Sequence, residues 1–187
     1  MSNKKVVAAL YALQFNVAQL LKEATGGTRQ YDVNADIEHE FDEEVIAVSP
    51  LTGQLNFLRT GSNILVTGSL EVTLQKGCAR CLTELVLPVS IEIEELFYPK
   101  MDINTGNPVL IPDDVDPANL IDDHNILDLS EVVRQELVLA NDVVIYCRPD
   151  CRGLCPYCGI DRNVAACDCE EKHIDSRWSG LQDLQLD

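Results

Sequence analysis

Six of the eight cysteines of this 187-residue chain lie close together near its C-terminal end, from Cys147 to Cys169. Their spacing is Cys147-x3-Cys151-x3-Cys155-x2-Cys158-x8-Cys167-x-Cys169, and a further pair, Cys78-x2-Cys81, lies far upstream. Two thiolates three residues apart can reach the same tetrahedral ion at about 2.3 Å. One such pair is a weak signal, whereas two pairs with four more closely spaced cysteines indicate metal binding, and zinc above other metals.

The stretch "CPYCG", which begins at Cys155, has the form of a zinc knuckle. Pro156 stiffens the turn between its two thiols. Gly159 allows a positive φ, so that backbone N–H groups can point at sulfur. The upstream stretch "GCARCL" has the same thiol spacing but stands at the end of a predicted strand.

Eight thiols suffice for one or two zinc ions. The most compact set is Cys155, Cys158, Cys167 and Cys169, because closing its short loop costs little entropy. That choice leaves Cys78, Cys81, Cys147 and Cys151 for a second ion that staples the tail to the sheet. An alternative joins the two Cys-x-x-Cys pairs in one site, and the spacing alone does not decide. A thioredoxin-like redox pair requires a βαβ context, which is absent from the pattern.

Several basic residues accompany the cysteines in sequence. A zinc ion with four thiolates carries a net charge of about −2, because every coordinated cysteine is deprotonated. We expect the nearby cations to offset that charge, in preference to forming a phosphate-binding patch; a role in partner binding is the alternative. They are Arg80, Arg148, Arg152, Arg162, Lys172 and Arg177.

Composition narrows the class of protein. The formal net charge of −17 opposes long-range attraction to a phosphate backbone, so direct RNA binding is disfavoured. The hydrophobic fraction of 46% is enough for a core, and the 5% of aromatic residues makes Val, Leu and Ile its main components. No apolar run reaches the roughly 20 residues that span a bilayer, and no secretory signal is visible. We expect a cytoplasmic protein.

Periodicity predicts an α+β fold with an antiparallel sheet at its core. Val17, Leu20, Leu21 and Ala24 form a helical stripe that ends at a Gly-Gly pair. From residue 30 to residue 98 the pattern changes to alternating, β-branched segments, which predict about five antiparallel strands. In "SIEIEELF", Ile91, Ile93 and Leu96 are predicted to face the core, with the glutamates outside.

A loop and a second helix follow the predicted sheet. Residues 99–124 are rich in Asp, Pro, Asn and Gly, which predicts a long solvated loop. "LDLSEVVRQELVLAND" predicts a helix capped by Asp128 or Ser130 and packed on the sheet. We therefore expect a sheet domain with two helices over 1–145. A cysteine-rich, zinc-binding tail over 146–187 is expected to pack on that sheet.

No constellation of catalytic residues is visible in the sequence. The histidines, His39, His124 and His173, are scattered in polar stretches, which is typical of solvated surface residues. No serine or cysteine has the context of a nucleophile, and no phosphate-binding glycine loop occurs. The sequence gives no indication of a small-molecule substrate, and we expect a protein that is not an enzyme.

The motifs resemble those of the YceD family, the large ribosomal RNA subunit accumulation proteins of bacteria and chloroplasts. The specific elements are "CARCL" and "CRGLCPYCG"; "NVAQLLKEATGGTRQYDV", "EELFYP", "LDLSEVVRQELVLA" and "DSRWSGLQDL" also match. The chain departs from the family pattern at "DRN", "LANDVVIYC" and "DSRW", which are turns and linkers. All eight thiols are kept.

The resemblance implies a role in large-subunit ribosomal RNA accumulation or processing, and thus in ribosome assembly. Because the chain is strongly acidic, we expect it to act through a ribosomal protein or a pre-ribosomal particle. One alternative is a zinc-dependent interaction module that regulates a nuclease or polymerase. Another is a thiol-based redox or metal sensor, which requires a reactive, solvent-reachable thiol.

Overall fold

A computed structural model describes residues 12–37, 45–141 and 144–169. The chain divides into two units. The sheet unit comprises Met1–Gly77 and Glu84–Val144, and the cysteine unit comprises Cys78–Thr83 and Ile145–Asp187. Thus the connection between two strands of the sheet unit belongs to the cysteine unit. The expected division at residue 145, with the tail packed on the sheet, stays a prediction.

The sheet unit contains eight strands and two α-helices among the described residues. In chain order they are β1 Gln14–Asn16, α1 Ala18–Lys22, β2 Thr28–Ala35, β3 Ile46–Ala47, β4 Leu51–Thr60, β5 Asn63–Gly77, β6 Glu84–Pro99, β7 Leu120–Ile121, β8 Ile126–Asp128 and α2 Ser130–Asn141. A 3₁₀ turn, Pro117–Asn119, precedes β7.

The main sheet has the strand order β2-β4-β5-β6-β7, and β3 pairs with β5. Every pairing among β2 to β6 is antiparallel, which confirms the predicted antiparallel core of about five strands. The short strand β7 runs parallel to β6 and lies in the stretch predicted to be a loop. A separate two-stranded sheet joins β1 and β8. These short strands carry too few residues to show a period of two.

The side chains of the long strands alternate between the two faces of the sheet, and one of these faces is buried in the core. In β5 the side chains of Ile64, Val66 and Leu70 are fully buried. In β6 the period of two continues from Ile93 to Phe97, which is fully buried, while Leu96 is only half-buried. The prediction that Leu96 faces the core was therefore wrong. Packing each large apolar side chain away from water contributes roughly 1.5–3 kcal/mol.

The first helix is shorter than predicted. It ends at Lys22, where Glu23 adopts an extended conformation, and Ala24 is exposed outside the helix. The backbone N–H of Gly26 donates to the Arg59 carbonyl at 2.9 Å, and the Arg59 N–H donates to the Gly27 carbonyl at 2.8 Å. These bonds to β4 compete with further helical turns. Leu20 and Leu21 are buried, as the stripe predicts.

The second helix lies where the sequence predicts it, and it contacts β6. Val132, Val133 and Leu137 are buried. The Asp128 carboxylate accepts the Ser130 N–H at 2.8 Å and caps the helix. The hydroxyl of Ser130 is buried without a hydrogen-bond partner in the structure. Of the two predicted caps, Asp128 is therefore the one that caps the helix.

The acidic stretch 99–124 is mostly exposed, and several of its aspartates hold turns. The Asp102 carboxylate accepts the N–H groups of Asn104 and Thr105, both at 2.8 Å. Asp116 caps the 3₁₀ turn through the Ala118 N–H at 2.8 Å. Fully buried Ile121, in β7, returns this stretch to the core. The abundance of Asp therefore has a local structural cause.

Across the described part of the chain, no helix has the length and apolar character needed to cross a membrane.

Candidate metal centres

The eight cysteines form two groups of four, and both groups lie in the cysteine unit. The first centre is Cys78, Cys81, Cys147 and Cys151, and the second centre is Cys155, Cys158, Cys167 and Cys169. Within each group all four sulfur atoms lie within 4.8 Å of one another. This grouping is the one favoured by the short-loop argument. The pairing of the two Cys-x-x-Cys turns in one site is absent from the described residues.

The sulfur–sulfur distances in the first centre suit a tetrahedral ion. Cys78 Sγ lies 3.9 Å from Cys151 Sγ, and Cys81 Sγ lies 3.6 Å from Cys147 Sγ. Four sulfurs at about 2.3 Å from a central zinc are separated by about 3.8 Å along each edge of the tetrahedron. A disulfide requires about 2.05 Å, and all eight cysteines are free. The geometry therefore matches metal ligation and not oxidation.

The first knuckle is the turn that carries Cys78 and Cys81. The Leu82 N–H donates to the Cys78 carbonyl at 2.9 Å, and the Cys78 N–H donates to the Thr83 carbonyl at 2.9 Å. Leu82 has a φ of 60°, in the left-handed region. The Arg80 N–H points at Cys78 Sγ at 3.5 Å. The turn thus directs backbone dipoles toward sulfur.

The second knuckle repeats this bonding pattern, residue for residue. The Gly159 N–H donates to the Cys155 carbonyl at 2.9 Å, and the Cys155 N–H donates to the Ile160 carbonyl at 2.8 Å. Gly159 has a φ of 72°, which confirms the positive φ expected there. Both turns therefore require a left-handed residue directly after their second cysteine. In the first knuckle that residue is a leucine, which the sequence pattern did not predict.

The remaining ligands of the first centre lie on the segment that follows residue 144. The Cys147 N–H donates to Cys78 Sγ at 3.3 Å. Gly153 has a φ of 69°, and a Cβ at this position would lie 2.9 Å from the Arg80 carbonyl oxygen. That oxygen accepts the Leu154 N–H at 3.0 Å. The absence of a side chain at Gly153 therefore permits the first knuckle and this segment to approach each other.

Asn163 is a site residue that the sequence analysis missed. Its Nδ2 donates to Cys151 Sγ at 3.4 Å, and its Oδ1 accepts the Arg152 N–H at 2.8 Å. The Arg148 guanidinium donates to the same oxygen at 2.7 Å. One amide therefore orients a ligand sulfur and the backbone beside it. A lone Asn carries no spacing signal, so only the folded structure reveals this role.

The arginines differ in what they contact. Arg162 donates to Cys155 Sγ at 3.7 Å, so it contributes positive charge directly to a sulfur. Arg80 donates to the Cys151 carbonyl at 3.0 Å, and its guanidinium lies 4.2 Å from the centre of the Tyr146 ring. Arg148 also pairs with Asp150 at 3.4 Å.

The Arg152 and Arg162 side chains line an open cavity of about 390 Å³ together with Asn163 and residues 164–167. Arg177 and Lys172 lie outside the described residues, so their predicted roles stay predictions. Of the histidines, His124 has a side chain that is 88% exposed beside Asp122. His39 and His173 lie outside the described residues.

In each centre, backbone hydrogen bonds lower the pKa of one thiol. The backbone N–H of Cys81, with that of Arg80, lowers the pKa of Cys78 to about 6. The backbone N–H groups of Cys158 and Tyr157 lower the pKa of Cys155 to about 6.

Other thiols shift in the opposite direction. Desolvation of its sulfur among the other thiols raises the pKa of Cys147 to about 12, although the residue as a whole is exposed. The hydrogen bond with Cys158, followed by desolvation, raises the pKa of Cys169 to about 12. To ionise all four thiols of a centre together, a cation would have to offset their charge, and a divalent metal would supply it.

Each set of donors fits zinc. Four soft sulfur donors complete a tetrahedral shell, which is typical of structural zinc, and leave no position for a water molecule or a substrate. The centres differ in exposure: three ligands of the first are buried, whereas only Cys155 of the second is buried. Bound zinc would supply folding free energy. The chain's own N–H groups and Asn163 orient the sulfurs, and Arg162 partly neutralises their charge.

Comparison with known proteins identifies the family. The model of the family described as "Large ribosomal RNA subunit accumulation protein YceD" matches residues 66–185, and the chain belongs to this family. An uncharacterized protein of Mycobacterium tuberculosis and one of Mycobacterium bovis are each 33% identical to it over 124 residues. That alignment covers 65% of this chain and 55% of each relative.

An uncharacterized protein of Mycobacterium leprae is 26% identical over 137 residues, or 73% of this chain and 59% of the relative. The chain therefore spans little more than half the length of the curated relatives that it matches. No solved structure matches the chain.

Proposed function

We propose that this protein is a non-enzymatic, cytoplasmic factor that supports large-subunit ribosomal RNA accumulation and processing during ribosome assembly. The observation that carries the proposal is the family match over residues 66–185, a range that contains all eight cysteines. The family description names the accumulation of an RNA and no chemical reaction. The two four-sulfur groups, which have no open position, support a structural role for metal.

In this proposal each centre holds one zinc ion. The ligands are Cys78, Cys81, Cys147 and Cys151 in the first centre and Cys155, Cys158, Cys167 and Cys169 in the second. The zinc ions hold the cysteine unit in one conformation. Among the described residues of this unit, the buried hydrophobic residues are all cysteines. The unit therefore gains little from hydrophobic burial, and metal ligation supplies the missing free energy.

The partner that we propose is a basic ribosomal protein, free or on a pre-ribosomal particle. The net charge of −17 favours a cationic partner over RNA. In the sheet unit, the solvent face of the main sheet carries the exposed carboxylates of Asp32, Glu71, Glu92 and Glu94. Ribosomal proteins that still lack their RNA would find complementary charge on such a surface.

The experiment is a deletion of the gene, followed by measurement of the ratio of large- to small-subunit ribosomal RNA. We expect the ratio to fall and the wild-type gene to restore it. A variant with Cys78→Ser and Cys155→Ser should not restore it, while Ala79→Ser, an exposed change within the first knuckle, should. An unchanged ratio in the deletion strain would refute the proposed role.

The partner is tested separately by affinity purification at low and at high salt. We expect ribosomal proteins or large-subunit precursors at low salt, and a loss of both as salt screens the charges. Recovery of a nuclease or polymerase without any ribosomal component would favour the regulatory alternative. A particle held equally well at high salt would contradict the electrostatic account of binding.

A further inference from the structure

Glu95 is a carboxylate at a core position of the main sheet. It lies between Ile93 and Phe97 on the buried face of β6, and its partner in β5 is Val66, which is fully buried. The alternation of β6 therefore predicts an apolar side chain at this position. A charge on the inward face of a strand costs free energy unless it is paired or reaches water. Glu95 is half-buried and lines an open cavity, which gives its carboxylate access to a ligand.

The β6 cavity, as we name this space, lies between β6, residues 112–119 and the start of α2, and its volume is about 470 Å³. Its lining combines negative charge with apolar surface. The carboxylates are Glu95, Asp114 and Asp116, and the apolar or aromatic residues include Tyr98, Val115 and Val132. Among the described residues that line it, none is a lysine or an arginine. No cation of the lining therefore offsets the three negative charges.

Hydrogen bonds hold two of these carboxylates in place. The Asn119 amide donates to Glu95 Oε2 at 2.7 Å, and the Ala118 N–H donates to Asp116 Oδ1 at 2.8 Å. Each of the two carboxylates keeps its second oxygen for another donor. Acceptors that are fixed before a ligand arrives lose little conformational freedom when it binds.

An arginine side chain matches each part of this lining. Its guanidinium presents five N–H donors in a planar fork that fits carboxylates. Its methylene groups pack on apolar surface, and its plane stacks on an aromatic ring, which Tyr98 can supply. A bare divalent cation would use the carboxylates but would gain nothing from Val115 and Val132. The carboxylates would repel the phosphate groups of RNA.

We propose that the β6 cavity receives an arginine side chain from a basic segment of a ribosomal protein. The guanidinium bonds the carboxylates of the lining, and the methylene groups pack on Val115 and Val132. Further cations of the segment face Glu92 and Glu94, which lie on the solvent face of the same strand. This inference rests on the proposed function, which supplies the basic partner, and it adds the place and the residue type by which the partner is held.

The first test is an NMR titration of the full-length protein, purified in the presence of zinc. The probe is a short peptide with one arginine among glycine and serine residues, and the control peptide has citrulline, a neutral side chain of the same shape. We expect the arginine peptide to shift the signals of residues 95–98 and 112–119 saturably, and the citrulline peptide to leave them unchanged. Equal shifts from both peptides, or shifts confined to other residues, would overturn the proposal.

The second test compares variants that remove the same charge inside and outside the cavity. Glu95→Gln is paired with Glu94→Gln, and Asp114→Asn with Asp113→Asn; Glu94 and Asp113 are exposed and do not line the cavity. Glu95→Gln should weaken binding of the arginine peptide by about tenfold, which is the effect expected for a hydrogen bond between charged groups. Asp114→Asn should weaken it in the same direction. Because Asp114 is exposed in a loop, this variant tests the cavity even if Glu95→Gln disturbs the core.

The two control variants should bind the arginine peptide nearly as well as the wild type. Equal weakening within each pair would show that net charge alone attracts the peptide, and would overturn the proposal. Unchanged binding in Glu95→Gln and Asp114→Asn would overturn it too, and would leave Glu95 with the role of protecting a strand edge from pairing. Displacement of the peptide by Ca²⁺, but not by NaCl of equal ionic strength, would indicate a metal site instead and count against arginine.

The third test concerns the source of the arginine. In affinity purification at low salt, Glu95→Gln should recover less ribosomal protein than Glu94→Gln. Equal recovery by the two variants, or capture of only RNA or only a second copy of the chain, would overturn docking at the β6 cavity. The proposed function fails separately, if deletion of the gene leaves the ratio of ribosomal RNAs unchanged. A normal fall in that ratio with equal recovery by both variants would remove only the present inference.

Discussion

The two candidate metal centres are built on the same turn but differ in how many of their cysteines are buried. Each uses a Cys-x-x-Cys knuckle with the same pair of backbone hydrogen bonds. Three ligands of the first centre are buried, and only Cys155 of the second is. The ligands of the first come from residues 78–81 and 147–151, while those of the second lie within residues 155–169.

One turn can therefore support two kinds of site. A buried centre that joins distant segments excludes competing ligands and constrains a long stretch of chain. An exposed centre with a short loop is easier to form, and its sulfurs are easier for a chelator to reach. We therefore expect the first centre to dominate stability and the second to exchange its metal faster.

The largest effect should come from Cys78→Ser. Structural zinc sites in small domains contribute roughly 10–16 kcal/mol, so the loss of one ligand of the buried centre should unfold the segments that this centre joins, while the second centre keeps its own ion. We expect limited proteolysis to cut within residues 145–169 and to leave the strands of the sheet unit resistant. Resistance of the cysteine unit equal to that of the Ala79→Ser control would contradict the account.

The next effect concerns the rate of metal release. With a chromogenic chelator in excess, we expect one zinc to leave quickly from the second centre and one slowly from the first. Cys155→Ser should remove the fast phase and Cys78→Ser the slow phase. A single phase that both variants halve equally would show that the difference in burial has no kinetic consequence.

Asn163→Ala should weaken the first centre through its contact with Cys151. Outer residues that orient ligands commonly account for about 10–100-fold in metal affinity. We expect a loss in that range, measured by competition with a chelator of known affinity, with the second centre less affected. Asn34→Ala, at an exposed asparagine of β2, is the control and should change neither affinity.

Gly159→Leu should have the smallest effect on zinc affinity. This change places at position 159 of the second knuckle the residue type that the first knuckle has at Leu82. A left-handed conformation costs a residue with a Cβ roughly 1–2 kcal/mol, which corresponds to about 5–30-fold in affinity at the second centre. Gly106→Leu is the matched control: Gly106 also has a φ near 70° in open space, but it lies outside the cysteine unit. That change should lower stability without altering zinc affinity.

Long periodic segments made much of the fold predictable. The alternation of β5 and β6 and the helical stripe of α2 each cover enough residues for the pattern to be clear. Prediction failed where a local pattern competes with long-range bonds. Ala24 fits the stripe of α1, yet the bonds of Gly26 and Gly27 with Arg59 end the helix earlier. In β7, two residues are too few to show any period.

The metal centres were predictable as a set of thiols but not in full detail. Cysteine spacing points to ligands, and loop length favours one grouping. The spacing of residues does not predict that Asn163 orients a ligand sulfur or that Leu82 is left-handed. An isolated Asn or Leu occurs in many ordinary positions. Only the hydrogen bond of Asn163 to Cys151 Sγ and the φ of Leu82 reveal them.

Native mass spectrometry of the intact protein counts the zinc ions that each chain carries. If both centres hold zinc, the folded chain should carry two zinc ions. Cys78→Ser and Cys155→Ser should each carry one, and the double variant should carry none. A wild-type chain without metal, or one whose mass shows disulfide bonds in place of zinc, would contradict the account.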